Sequence, residues 1–187
     1  MSRNLIQEHF FSPRNVGDVA EPGFVGRSAS FECGAVARVS LAIDESHNIL
    51  QARFRAIGCD FLVASLSLLT EQVKGKTTAE AAELAQRPED VGAAFGGIGG
   101  DKTHCVELAC EAMLAAICQY SDAAREEWIG DEALICTCFF VSERTIEREI
   151  RSGGLTTVAE VTRACNAGGG CGSCHQLIQE ILEGSEL

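Results

Sequence analysis

Four cysteines in the last third of the chain, Cys136-Thr137-Cys138 and Cys171-Gly172-Ser173-Cys174, restrict its folding more than any other feature. Each pair is already local, so gathering all four closes only one longer loop, a cost that grows slowly with length. Asn166-Ala167-Gly168-Gly169-Gly170 precedes the second pair. Glycines there let the backbone come close to a bound object and take up positive φ. Four thiolates gathered this way suit zinc or an iron–sulfur cluster. A unit of roughly fifty residues has a thin core and commonly needs such a centre to fold. Zinc competes on spacing, although the Cys-x-Cys half is less usual for a zinc ribbon.

The chain has 187 residues, ten cysteines and a net charge of −12. That length fits one or two small domains. At the N-terminus Leu5 and Ile6 give way at once to Gln7, Glu8 and His9, so neither a signal peptide nor a spanning helix is expected. The most apolar stretch, Phe61–Leu69, is too short to span and carries Ser65 and Ser67. Cysteines without a secretion signal point to reduced thiols, metal chemistry and a cytoplasmic setting. The acidic balance argues against nucleic acid, whose phosphates need a basic face, and gives no support for a membrane surface. It favours solubility, or docking to a basic protein partner.

From Phe31 to Ile43 the odd positions Phe31, Cys33, Ala35, Ala37, Val39, Leu41 and Ile43 are apolar, which predicts a half-buried strand. Asp44–Asn48 is turn material, and Leu50, Ala52, Phe54 and Ala56 predict an antiparallel partner. Cys33 and Cys59 then sit on or just past the two strands. Leu62, Leu66, Leu69 and Val73 switch to helical spacing, ended by Gly75. Thr77 with Glu80 reads as a capping box opening a short helix that stops before Pro88. Gly92–Gly100 reads as a mobile loop, and Cys105, Leu108, Ala109, Ala112, Met113 and Ala116 as a helical stripe. Ser121–Glu132, acidic and poor in apolar residues, reads as a linker. Beyond it Ser142 is an N-cap, Gly153-Gly154 a stop, Thr157 with Glu160 a capping box, and Leu177, Ile178, Ile181 and Leu182 a last helix that Cys174 would open. The amides at that helix's N-terminus would stabilise a negative cluster. The predicted division is 1–120, a linker 121–132, and a small helical unit 133–187. The run Gly96–Thr103 is superficially a phosphate-binding loop, but Asp101 separates its last glycine from Lys102 and would repel phosphate.

Residues 134–182 resemble the central domain of NifU, similar to bacterioferritin-associated ferredoxin domains. The resemblance implies a permanent 2Fe–2S cluster on Cys136, Cys138, Cys171 and Cys174. The segments HFFSPRNVGDV (9–19), FECGA (31–35), AIGCDFLVAS (56–65), LTEQVKGKT (69–77) and KTHC (102–105) resemble the IscU-like scaffold domain of the same family. The implied fold is α+β: a small antiparallel sheet with packed helices, followed by the small helical cysteine-rich domain. The implied function is iron–sulfur cluster assembly by a carrier that is not an enzyme. Cys33, Cys59 and Cys105 match the ligands of a transient iron–sulfur cluster, or of zinc, and Cys105 matches the acceptor of persulfide from a cysteine desulfurase. Implied partners are that desulfurase, apo iron–sulfur proteins and a second copy in a homodimer. The resemblance names neither the recipient nor a nitrogenase-specific or general role. In the first turn of a helix, beside His104 and near Lys102, Cys105 is expected to be acidic enough to act as a thiolate.

His104 is open between fourth ligand, proton carrier and helix cap. Cys110, Cys118 and Cys165 match no ligand position of the family, and Cys110 and Cys118 are expected to be small core residues; His47 and His175 are expected at the surface. The chain also departs from the family pattern. Where the family has Cys-Gly-Asp it has Cys33-Gly34-Ala35, losing an exchangeable oxygen ligand. Asp60-Phe61 replaces a small Gly-Ser after Cys59, and the Leu-Pro-Pro-Val-Lys segment that Hsp70-type chaperones grip is absent. The chain ends at Leu187, where full NifU carries one more cluster-carrier domain. Two expectations follow: Asp60 replaces the missing carboxylate in a working scaffold, or the site has lost exchangeability and the protein is an electron-transfer or cluster-storage protein.

Overall fold

Alternation on either side of Asp44–Asn48 folds as an antiparallel hairpin, extended by one more strand and covered by the helices Asp60–Gln72 and Thr103–Glu127. In the computed structural model, which describes residues 2–20, 23–97, 102–127 and 133–184, helix α1 (Ser2–Phe11) comes first. Strands β1 (Phe24–Ala29), β2 (Val36–Ile43) and β3 (Ile49–Ile57) form an antiparallel sheet in that order. Helices α2 (Asp60–Gln72), α3 (Thr78–Ala85), α4 (Pro88–Ala94) and α5 (Thr103–Glu127) follow. The second unit has a two-stranded ribbon, β4 (Leu134–Cys136) with β5 (Val141–Ser142), then α6 (Glu143–Gly153), α7 (Val158–Cys165) and α8 (His175–Gly184). The α+β expectation holds.

Ala37, Val39, Leu41, Ala52 and Phe54 point into the core, as the alternation predicts. A register irregularity at Ala42/Ile43 turns Ile49 inward and leaves Leu50 exposed. The predicted strand start is displaced: β2 begins at Val36, because Gly34 takes φ +67° and residues 31–33 form a turn. Cys33 therefore sits in a turn, off the strand. Strand β1 carries no clear alternation and was not anticipated. At its centre Gly26 lets helix α5 lie directly on the sheet: a Cβ there would stand 2.0 Å from Ala112 O and 2.2 Å from Ala116 N.

Leu62, Leu66, Leu69 and Val73 of α2 are fully buried against this sheet and α5. Burying each such side chain contributes about 1.5–3 kcal/mol, so the α2 stripe anchors the unit. The capping box at Thr77 and Glu80 forms as expected. The glycine segment differs from expectation at its start. Pro88 opens α4, which runs through Gly92 to Ala94, and residues 98–101 lie outside the described ones. The expected linker also begins too early, since its residues up to Glu127 continue α5. Ala, Arg and Glu there are strong helix formers, and acidic composition alone does not distinguish a solvated helix from a linker.

Helix α1 is fixed on α2 by His9, which is buried and stands edge-on to Phe95. Arg14 Nη1 lies 3.0 Å from His9 Nε2, and His9 Nδ1 lies 2.9 Å from Ser67 Oγ. A guanidinium only donates, and Nη1 stands nearer to Nε2 than to Nδ1, which is 3.3 Å away; taking Nε2 as its acceptor assigns the ring proton to Nδ1, which faces Ser67. The second unit has a core of its own, with Ile146, Val161 and Ile178 at its centre. Among the described residues no helix is long and apolar enough to cross a membrane.

Candidate functional sites

Two loops of the second unit bring its four cysteines together. Cys136 ends β4, pairing with Val141, and residues 137–140 turn between the ribbon strands with Phe140 at φ +54°. Helix α7 is opened by the Thr157–Glu160 capping box and stopped by Asn166 in the left-handed region at φ +62°. From there residues 167–173 lead into α8. Cys174 immediately precedes that helix, its carbonyl accepting from Ile178 N at 3.0 Å. The thiols of Cys136 and Cys174 are buried, Cys138 is half-buried and Cys171 exposed. Cys138 Sγ and Cys171 Sγ are 3.5 Å apart, and Cys136 and Cys174 form the other thiol pair. A cavity of about 220 Å³ opens between the loops, lined by the four cysteines, Gly168, Gly170, Gly172, Ile135 and Leu177.

The glycines there are needed for space as well as φ. A Cβ on Gly170 would lie 2.9 Å from Cys138 Sγ, and one on Gly168, at φ +87°, 2.7 Å from the His175 ring. Electrostatics divide the thiols by exposure. The Ser173 hydroxyl and N–H, with Cys138, hold Cys171 down to about 7. Cys138 accepts the Cys171 N–H, yet burial and the Cys171 sulfur push it up. Burial and then Cys136 push Cys174 up to about 12. Such thiols give up their protons on metal binding. Four thiols lining one cavity as two pairs fit a group held by four thiolates. Among the described residues of either unit, no three His, Cys, Asp or Glu groups are drawn together closely enough to hold a single metal ion.

The first unit brings its residues together from three elements. Cys33 lies in the β1–β2 turn, Cys59 is the N-cap of α2, and His104 and Cys105 occupy the first turn of α5. Cys59 Sγ and Cys105 Sγ are 3.4 Å apart; His104 Nε2 is 3.4 Å from Cys105 Sγ and 3.8 Å from Cys33 Sγ. His104, left open by the sequence, thus bridges Cys33 and Cys105, and Cys105 in turn contacts Cys59. Asp60 does not join them: its carboxylate accepts from Phe61 N at 3.0 Å at the exposed start of α2. Ala35 is buried, 4% exposed, beside Gly58, so its methyl faces the core.

The expected acidity is reversed between the two ends of this site. Cys105 is only 2% exposed, and burial, then Cys59, push its thiol up to about 12 against the weaker pull of Lys102. Exposed Cys33 is held below the ordinary thiol value by the Ser30 hydroxyl, then the Ala35 N–H and His104. A helix N-terminus lowers a thiol's pKa only where the sulfur is not desolvated at the same time. In the metal-free protein, iodoacetamide should therefore modify Cys33 about tenfold or more faster than Cys105. Peptide mass spectrometry measures the order, and earlier labelling of Cys105 would contradict its burial.

Other expectations resolve individually. Cys110 and Cys165 are core residues, but Cys118 is exposed. His175 is exposed, with Nε2 2.8 Å from Gly168 O. His47 is half-buried rather than at the surface, and its ring contacts the Tyr120 hydroxyl. Ser30 and Ser173, which tune the exposed thiols of Cys33 and Cys171, were missed; Ser173 lies within the Cys-x-x-Cys spacing and was legible there.

Residues 1–127 match the family described as NifU-like N terminal domain, and residues 134–184 the BFD-like 2Fe–2S binding domain. Nitrogen fixation protein NifU of Trichormus azollae is 37% identical over 187 residues, covering 95% of this chain and 62% of the relative. The chain thus spans about three fifths of the length of such relatives. Iron-sulfur cluster assembly scaffold protein IscU 1 of Archaeoglobus fulgidus is 32% identical over 120 residues, covering 64% of this chain and 76% of the relative. A crystal structure of a candidate iron–sulfur cluster assembly scaffold protein for the SUF system from Fervidobacterium islandicum superposes with TM-score 0.50 at 20% identity, covering 60% of this chain and 93% of that one. That likeness concerns the fold of the first unit.

Proposed function

Because the chain belongs to the NifU-like N-terminal domain family, with a BFD-like 2Fe–2S binding domain behind it, we propose that it is an iron–sulfur cluster assembly scaffold with a second, resident 2Fe–2S site. The observation that carries this reading is the run of contacts from Cys33 through His104 and Cys105 to Cys59, apart from the cavity of Cys136, Cys138, Cys171 and Cys174. We draw the boundary between the two units in the segment after Glu127.

The first site gathers iron and sulfur as cargo. A cysteine desulfurase hands over sulfane sulfur: its persulfide exchanges with the Cys105 thiol, leaving a Cys105 persulfide and a free desulfurase thiol. Cys105 lies below the surface, so this exchange requires the first turn of α5 to open. Exposed Cys33 is the thiol that a visitor meets first. His104, 3.4 Å from Cys105 Sγ, is placed to take that thiol's proton and then to ligate iron. Reducing sulfane sulfur to sulfide takes two electrons, and a 2Fe–2S group held at the second site would supply one-electron transfer chemistry there. Cys136, Cys138, Cys171 and Cys174 hold that group, and the N-terminal amides of α8 favour its negative charge. The chain acts as a cytoplasmic carrier, not a turnover enzyme. Its net charge of −12 suits a basic desulfurase partner, with apo iron–sulfur proteins as recipients and a homodimer as its working form.

A second reading has its own observation. Ala35 offers no oxygen, and the Asp60 carboxylate is engaged with Phe61 N–H instead of the sulfurs. A site without an exchangeable ligand would keep its cluster, making the protein an electron carrier or store. Anaerobic reconstitution with iron, a desulfurase and cysteine separates the two. The scaffold reading expects a cluster at the first site that passes to an apo-ferredoxin. A first site that gains none, or gains one that never leaves, would sink it.

A further inference from the structure

The cluster-ligand loops of the second unit are also its contact with the first. Asn166 Oδ1 accepts from Ala79 N at 3.1 Å, with both residues buried. Ala79 is the second residue of α3, whose opening donors are otherwise satisfied within the first unit. Thr77 N donates to Glu80, Thr78 N to His47 O, and Glu80 N to Thr77 Oγ1. Helix N-terminal N–H groups lack intrahelical partners, so this one is completed by a side chain 87 residues away. Three residues beyond Asn166, a Cβ on Gly169 would stand 2.3 Å from Ala79 Cβ. The other ligand loop takes part through Phe139, next to Cys138, which packs against the cores of both units. The two loops touch each other at Gly170 and Cys138.

We propose that helix α3 of the scaffold unit holds the two ligand loops of the C-terminal site in register, so that metal occupancy of that site and docking of the two units stabilise each other. Asn166, Gly169 and Phe139 are then positioning residues of a site they do not ligate. Linkage makes the effect reciprocal: the factor by which docking tightens metal binding is the factor by which metal tightens docking. The inference rests on the reading of the four cysteines as metal ligands. Asn166→Gly keeps the left-handed backbone and removes only the amide. Gly169→Ala drives a methyl into Ala79, and Ala79→Gly removes the atom it strikes.

The test uses the full chain, purified without air, with iron, sulfide and zinc measured first. Chelator-driven release from the C-terminal cysteines and hydrogen exchange at the Ala79 amide are then followed. In the wild type, exchange at Ala79 should be slower when the site is loaded than when it is stripped. Asn166→Gly should speed that exchange about tenfold, as expected for a buried hydrogen bond lost. Gly169→Ala should speed metal release about tenfold, and Gly169→Ala with Ala79→Gly should return most of that loss, which marks a direct contact. Release from Gly169→Ala at the wild-type rate, or faster release that Ala79→Gly does not repair, overturns the coupling. Zinc in place of iron would sink the 2Fe–2S reading, while the same cycle run on the zinc form still decides the coupling. A chain with no metal at these cysteines overturns both.

Discussion

Replacing Gly26 with alanine should lower the melting midpoint of the scaffold unit by about 12 °C or more, and valine should prevent it from folding. The added Cβ meets Ala112 O at 2.0 Å, Ala116 N at 2.2 Å and Ala115 C at 2.8 Å. All three are backbone atoms of α5, so no side chain can rotate away. Either α5 lifts off β1 or β1 leaves the sheet. Overpacking where a side chain can yield costs about 1–3 kcal/mol. A rigid obstacle puts the alanine cost near or above the top of that range, against a total stability of about 5–15 kcal/mol. Each kcal/mol moves the midpoint by about 4–8 °C in a domain of about 60–100 residues and by about 2–4 °C in one of about 150–250, hence by about 4 °C in this unit. Circular dichroism melts measure it, with Gly184→Ala as control because nothing lies within 4 Å of a Cβ there. A Gly26→Ala midpoint within a few degrees of the wild type would contradict the direct contact of α5 with β1.

Replacing Gly170 with alanine should empty the C-terminal site while leaving both folds intact. Its Cβ would lie 2.8 Å from Cys138 Cβ and 2.9 Å from Cys138 Sγ. Here the obstacle is a ligand side chain that can move, so the structure survives and the ligand is displaced. A misplaced cysteine loses its metal bond, and the remaining three thiols hold a cluster poorly. Iron and acid-labile sulfide at this site should fall tenfold or more, which at the ordinary conversion is about 1.4 kcal/mol of binding or greater. Far-ultraviolet dichroism should not change. Unchanged iron content with an intact fold would refute the placement of Cys138 against Gly170.

The elements that rest on local chemistry were legible in the sequence. Thr77 with Glu80, Thr157 with Glu160 and Ser142 all cap the helices they were expected to open. The stripe of Leu62, Leu66, Leu69 and Val73 lies buried as its spacing implies. Elements that rest on tertiary contact were not. Strand β1 has a glycine at its centre where a strand signal would need a β-branched residue, and only the approach of α5 explains it. The end of α5 was mistaken for a linker because charge marks both. At the sites, every candidate cysteine was identifiable from spacing and resemblance, but not its exposure. Burial reversed the expected order of Cys105 and Cys33. Asp60 sits next to Cys59 in sequence, yet its carboxylate serves its own helix. Asn166 was readable as the start of a glycine run, while its partner Ala79 was not.

The tautomer of His9 makes the hold on α1 a matter of acidity. Burial lowers the ring's pKa below its ordinary 6.5, and the neighbouring Arg14 guanidinium lowers it further, while Glu71 and Glu8 oppose the shift. A second proton would have to enter on Nε2, where Arg14 already donates. The folded value lies below the unfolded one, so the contribution is complete above pH 6.5 and fades as pH falls through the folded value. Protons compete with Arg14 for one lone pair, and each gain for the proton loosens the N-terminal helix from α2. Acid therefore acts on α1 through His9, a group that belongs to neither cysteine site.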